Sequence, residues 1–363
     1  MKYTIIIILF LLTIQSAASQ SLEDKIGQML IIGFRGTEVT SQSPIYDDIN
    51  DRNIGGVVLY ETDKTTNKNE RNIESKSQLE QLTSQLQEVS PTSLIIAVDQ
   101  EGGKIQQLKP SHGFKAYPSH LELAKTGNTE QTKTVASEIG EELQETGINL
   151  NFGPVADVMV SKNSMIISRL FRSFSDDPQI VYEHAKAYIN GLHQEDVISV
   201  VKHFPGFGSE TGKKTNGMYD ISNSWSEEEL NPYKKLFTDS DVTVDGVMVA
   251  HVFNQNLDSN YPASLSEKVI TGLLRNELGY DGVIIGESPQ AKFIIEEYGL
   301  ESAIRQQVKA GVDMLQFANN IIYDEDIAAK TIAIIKDMVK NGDISEDQIN
   351  ASYERIQKMK SKL

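Results

Sequence analysis

Eight short runs rich in Val, Ile and Leu recur along the chain, and they restrict its possible folds more than any other feature. They are Leu30 to Gly33, Gly56 to Tyr60, Leu94 to Asp99, Leu150 to Phe152, Val197 to His203, Val244 to His251, Gly282 to Glu287 and Met314 to Phe317. Runs this apolar on both faces are those of parallel strands buried under helices, not of half-exposed antiparallel ones. The intervening segments carry helical stripes. Val135, Ile139 and Leu143 fall on one face ahead of the helix-ending Gly147, and Ile270, Leu273, Leu274 and Leu278 do the same ahead of Gly279. Eight strand-helix units in a chain of 363 residues predict one α/β domain, a (β/α)8 TIM-type barrel. A doubly wound open sheet is the alternative. A closing helix is expected from Ser345, which with Gln348 fits a capping box, and it would bury Ile349, Tyr353 and Ile356.

Residues 1–19 read as a secretory signal: Lys2, an apolar run from Ile5 to Ile14, then the small residues Ser16 to Ser19. The run is short of the ~20 residues that span a bilayer, so no stable membrane insertion is expected once it is removed. The barrel domain would then occupy 20–363, exported to the periplasm or secreted. There is no cysteine, so no disulfide can form and the fold must be held by its core. A net charge of −17 argues against a nucleic-acid partner, because phosphate binding draws on an excess of Lys and Arg.

Ionisable residues stand at the carboxyl ends of four runs: Asp99, Lys202 with His203, His251, and Glu287. In a barrel these ends converge on the face where catalysis occurs. Other chemistries fail on spacing. The Gly-rich stretch Gly206 to Thr215 departs from the phosphate-loop pattern at Phe207 and Lys214. No H-x-H, H-E-x-x-H or cysteine set offers metal ligands, and no G-x-S-x-G elbow offers a serine nucleophile. His184 and His193 lie in a helical stretch and read as surface residues.

Several longer stretches occur together in order: Ser21 to Leu30, Gly55 to Leu59, Ala97 to Gly103, Asn149 to Val158, Arg172-Ser173-Phe174 with Asp177-Pro178, Lys202 to Gly208, and Pro262 to Ser266. Through them the chain resembles glycoside hydrolase family 3, in its single-barrel, β-N-acetylhexosaminidase-like branch. The resemblance implies a carbohydrate partner and a pocket for a terminal β-linked N-acetylhexosamine, as in cell-wall or chitin-type glycans. Hydrolysis there would be retaining and need no metal or organic cofactor. It further implies that Asp99 accepts from sugar hydroxyls, that Arg172 is an arginine clamp, and that Lys202 and His203 hold ring hydroxyls, with His251 completing the pocket.

The catalytic motifs depart from the family pattern. The nucleophile position, the first Asp of an S-D-D-type strand end, falls in Gly286-Glu287-Ser288, so Glu287 is the expected nucleophile. The branch's Asp-x-His acid/base dyad falls on Lys213, Lys214 and Thr215. An ammonium with an ordinary pKa of ~10.4 is a poor proton donor at neutral pH, and a threonine hydroxyl is worse. Glu210, on the same loop, is the expected replacement acid. Phe207 also stands where the family often has His, and Lys104 and Gln107 where arginines are common. Hydrolysis is therefore expected to be weak or lost, with a non-catalytic carbohydrate-binding or scaffold protein as the alternative.

Overall fold

A computed structural model describes residues 20–66, 68, 69 and 71–363, so the expected signal at 1–19 lies outside the described residues. Its strands are β1 (Leu30–Gly33), β2 (Gly56–Val58), β3 (Ile95–Val98), β4 (Leu150–Asn151), β5 (Ile198–Phe204), β6 (Gly246–Val249), β7 (Val283–Gly286) and β8 (Met314–Phe317). They close into a parallel barrel in the order β1-β8-β7-β6-β5-β4-β3-β2. Leu30 sits opposite Leu315 and Ile32 opposite Phe317, so the sheet has no free edge and the open-sheet alternative falls. Every residue of these eight strands is buried, which is why the runs are mostly apolar.

Five of the strands, β2, β3, β4, β6 and β7, are shorter than the runs that announce them. β3, β6 and β7 end at Val98, Val249 and Gly286, leaving Asp99, His251 and Glu287 just beyond the ladder. β5 is longer, at seven residues, and carries Lys202 and His203 within it. Polar side chains therefore stand at the carboxyl mouth of the barrel while the apolar ones fill its interior.

The helices Thr129–Glu145 and Pro178–His193 pack so closely that a Cβ on Gly191 would lie 2.4 Å from the Lys133 carbonyl oxygen. His184, expected at the surface, is buried between them, with Nδ1 2.7 Å from Thr132 Oγ1 and its ring stacked on Phe174. His193 is not free either: its Nε2 lies 2.6 Å from Asp245 Oδ2, tying the helix to the start of β6. The stripe before Gly279 winds as a π-helix, Lys268–Glu277, and buries Val269, Ile270 and Leu274. In the closing helix, Glu346–Lys360, Ser345 Oγ accepts the Gln348 N–H at 3.1 Å. The Gln348 side chain donates instead to the Val308 carbonyl at 2.6 Å, so only half of the expected capping box forms.

Three insertions stand on the carboxyl face. Thr62–Asp63 pairs with Lys68–Asn69, Gln100–Gly102 pairs with Ile105–Gln106, and Lys214–Thr215, Met218–Asp220 and Val252–Phe253 form a small sheet. Among the described residues no helix is long and apolar enough to cross a membrane.

Candidate active site

Lys202 is 1% exposed, and its Nζ lies between two carboxylates, 2.6 Å from Asp99 Oδ1 and 2.7 Å from Glu101 Oε1. Asp99 and Glu101 are two apart on an extended segment, so they face the same side. Glu101 in turn takes the Arg172 guanidinium in a bidentate grip, Nε to Oε2 at 2.9 Å and Nη2 to Oε1 at 2.7 Å. Burial works against the Glu101 carboxylate, but Arg172 and Lys202 hold its pKa well below the usual range. Burial also works against the Lys202 ammonium, and there Asp99 and Glu101 prevail and keep it charged.

The chain of contacts continues through a histidine. Arg172 Nη2 lies 3.2 Å from His203 Nε2, and His203 Nδ1 lies 2.7 Å from Asp157 Oδ2. A guanidinium can only donate, so the network assigns Nε2 as acceptor and Nδ1–H as donor to Asp157. Asp157 Oδ1 also accepts the Phe207 N–H at 2.8 Å, which fixes the loop after β5 to the same carboxylate. Paired ions of this kind set geometry more than they add stability, since desolvation offsets much of the attraction.

Across the mouth, Glu287 follows β7. Its Oε2 accepts the backbone N–H of His251 at 2.6 Å, and its carbonyl accepts from Gln307 Nε2 at 2.8 Å. A Cβ on Gly286 would meet Gln307 Nε2 at 2.8 Å, so glycine is needed for that approach. The His251 ring is held at both nitrogens, Nε2 donating to the Ser288 carbonyl at 2.8 Å and Nδ1 accepting from the Ser264 hydroxyl. Burial pushes its pKa down.

Asp99, Arg172, Lys202, His203, His251 and Glu287 all line one cavity of about 400 Å³. Its apolar walls come from Phe152, Ile166, Phe207, Met248 and Phe293, and Tyr60 and Gln316 add polar groups, hydrogen-bonded to each other at 3.0 Å. Glu210 is the exception among the expected site residues. It is fully buried outside the cavity, its Oε2 accepting the Met165 N–H at 2.8 Å and its Oε1 the Gly212 N–H. Both oxygens brace the loop, which corrects the expectation that this carboxyl serves the cavity. The dyad positions are also occupied elsewhere: Lys213 Nζ lies 2.7 Å and Thr215 Oγ1 2.8 Å from Asp220 Oδ2, and Lys214 covers the Tyr219 ring. Among the described residues no group of three or more His, Asp or Glu side chains converges as a metal site.

Glu101 and Asp157, which orient the cavity's cations and its histidine, were not singled out from the sequence. Glu101 had a local signal, its two-residue offset from Asp99. Asp157 had only its place in the stretch Asn149 to Val158, because its contact with His203 spans 46 residues.

Residues 21–359 match the family model described as glycosyl hydrolase family 3 N terminal domain. The chain belongs to this family. It is 30% identical to a beta-hexosaminidase of Nitrosomonas eutropha over 304 residues, covering 80% of each chain. It is 28% identical to beta-hexosaminidase LpqI of Mycobacterium tuberculosis, covering 93% of this chain and 82% of that one. Against beta-hexosaminidase A of Pseudoalteromonas piscicida the identity is 29%, and the match spans only 54% of that longer protein. Among solved structures, a family 3 beta-N-acetylglucosaminidase from Paenibacillus superposes with a TM-score of 0.84 at 28% identity, over 95% of this chain and 63% of that one. The chain is thus a β-N-acetylhexosaminidase-like family 3 barrel that spans part of some relatives and most of others.

Proposed function

We propose that this family 3 barrel binds a terminal β-linked N-acetylhexosamine and hydrolyses it slowly, through a covalent intermediate on Glu287. The observation that carries the reading is that Glu287 opens into the same cavity as the Asp99–Lys202 pair. Asp99, Lys202 and His203 offer charged and polar groups that suit ring hydroxyls. Phe207, Met248 and Phe293 offer apolar faces. The backbone N–H of His251 fixes one Glu287 oxygen and so orients the carboxylate for attack on the anomeric carbon. The bond to the leaving oxygen breaks as the ester forms, and water then releases the sugar, as in retaining glycosidases.

Protonation of the leaving oxygen is the weak step. The carboxyls lining the cavity are Asp99 and Glu287, and Asp99 is held on Lys202. Leaving groups that depart as stable anions should therefore be favoured. A nitrophenyl N-acetylglucosaminide is expected to turn over, N,N′-diacetylchitobiose about 10²-fold or more slowly. Glu287→Gln should lower the nitrophenyl rate by about 10³-fold or more while calorimetry still detects N-acetylglucosamine. That the second lining carboxyl, Asp99, is held on Lys202 also favours a second reading, a carbohydrate-binding protein without turnover. Binding with no nitrophenyl release would select it, and neither binding nor release would defeat both. The apolar segment at 1–19 supports action on glycans outside the cytoplasm, which fractionation of cells expressing the full chain would test.

A further inference from the structure

With Glu287 as nucleophile and Asp99 held on Lys202, neither carboxyl lining the cavity is free to protonate the leaving oxygen. The cations and histidines around them are engaged as well. Lys202 is locked between Asp99 and Glu101, Arg172 grips Glu101, and both ring nitrogens of His203 and of His251 have partners. Two hydroxyls remain, those of Tyr60 and Ser288. A second cavity of about 380 Å³ adjoins the first, and the residues common to both are Tyr60, Ile105 and Gln107. A glycan whose terminal sugar fills the first cavity and whose next unit lies in the second passes this junction at its glycosidic oxygen. Of the three residues there, Tyr60 alone carries a hydroxyl.

Tyr60 follows β2, and Asn72 fixes its backbone on both sides: the Tyr60 N–H donates to Asn72 Oδ1 at 3.0 Å and its carbonyl accepts the Asn72 N–H at 3.1 Å. The phenolic oxygen accepts from Gln316 Nε2 on β8 at 3.0 Å, a bond that spans the intervening β1. Gln316 therefore occupies a lone pair and leaves the phenolic proton unused; it meets no acceptor among the described residues. Burial, and then the Asp99 charge, push the Tyr60 pKa up, so the group keeps its proton at neutral pH. Raised in this way, its acidity approaches that of the alcohol it would protonate.

We propose that Tyr60 is a catalytic residue, giving its phenolic proton to the glycosidic oxygen while Gln316 holds the hydroxyl from behind. The inference rests on the proposed hydrolysis at Glu287 and deepens it by naming the donor. As a Glu287 oxygen bonds to the anomeric carbon, the bond from that carbon to the leaving oxygen breaks and the leaving oxygen takes the phenolic proton. Water then attacks the anomeric carbon and gives a proton to the Tyr60 phenolate, and the ester bond breaks to free the Glu287 carboxylate. Groups that depart as stable anions need little of this help.

Aryl N-acetylglucosaminides whose leaving phenols span a range of acidity test it, with the parent chain and Tyr60→Phe, which removes a single oxygen. Turnover of the substrates with the least acidic phenols is expected to fall about 10²-fold in the variant, and that of the nitrophenyl substrate only about ten-fold, so the rate depends more steeply on the leaving group. A packing defect lowers every substrate alike. An equal fall across the series, or no fall, therefore overturns the assignment and leaves hydrolysis at Glu287 standing. A variant that no longer binds N-acetylglucosamine in calorimetry overturns it as well, because the hydroxyl would then hold the sugar itself. No nitrophenyl turnover by the parent chain defeats both the assignment and the hydrolysis it rests on.

Discussion

Glu229 lies beneath the loop that brings Phe207 into the cavity, fully buried, with neither carboxyl oxygen hydrogen-bonded among the described residues. A Cβ on Gly206 would meet the Glu229 Cβ at 2.7 Å, and the Ser209 hydroxyl and the Ser209 and Gly208 N–H groups stand close enough to favour the charged carboxylate without aligning as hydrogen bonds, so burial outweighs them. Burial pushes the Glu229 carboxyl from its ordinary 4.5 up to about 8. The folded chain therefore keeps a proton that the unfolded chain releases above pH 4.5. Its contribution to stability is intact below that pH and is lost as pH rises towards 8. Glu229→Gln removes this titration and keeps the shape. Relative to the parent, the variant should gain on the order of 2–4 kcal/mol between pH 5 and pH 8, read from urea unfolding at each pH. A parallel pH dependence in both proteins would refute the assignment.

At the scale of elements, the segment after β5 decides what the site can do. Its start is tied to Asp157 through Phe207, its middle to Met165 through Glu210, and its end to Asp220 through Lys213 and Thr215. Gly208 is where it meets the segment after β4: an added Cβ would lie 1.7 Å from the Val158 carbonyl oxygen, a contact that backbone must yield to relieve. Gly208→Ala should therefore displace Phe207 and weaken N-acetylglucosamine binding by about ten-fold or more, with a loss of roughly 1–3 kcal/mol in stability. Calorimetry and thermal melting read the two effects, and unchanged affinity would show that the two segments move independently. The Lys-Lys-Thr sequence at 213–215 is legible directly, and so is the departure from the family pattern that the resemblance implies. That Glu210 is turned away from the cavity did not follow from sequence, because one of its two partners, Met165, lies 45 residues away.

For the molecule as a whole, closure joins the first barrel strand to the last. β1 pairs with β8, and the closing helix Glu346–Lys360 buries Ile349, Ile356 and Met359 against the barrel. Lys360 donates to Gln28 Oε1 and to the Ser93 carbonyl, both at 2.7 Å, and burial lowers its pKa to about 7. With no disulfide to hold the ends, this docking must be supplied by packing. Deleting residues 346–363 should abolish cooperative melting followed by circular dichroism; a sharp transition in the shortened chain would mean that the barrel closes without the helix.

Strand number and the face on which the cavity opens were legible in the sequence because each rests on local periodicity. A run apolar on both faces must be buried on both, and eight of them with helices between allow little besides a barrel. The residues at the run ends, Asp99, Lys202, His203, His251 and Glu287, followed from the same pattern, and Arg172 from its motif. What tertiary structure alone decided is which charges meet. Glu101 bridging Arg172 and Lys202, Asp157 orienting His203, and Glu210 turned away from the cavity all depend on contacts between residues distant in the chain, and a buried charge is directed by the partner that folding places beside it.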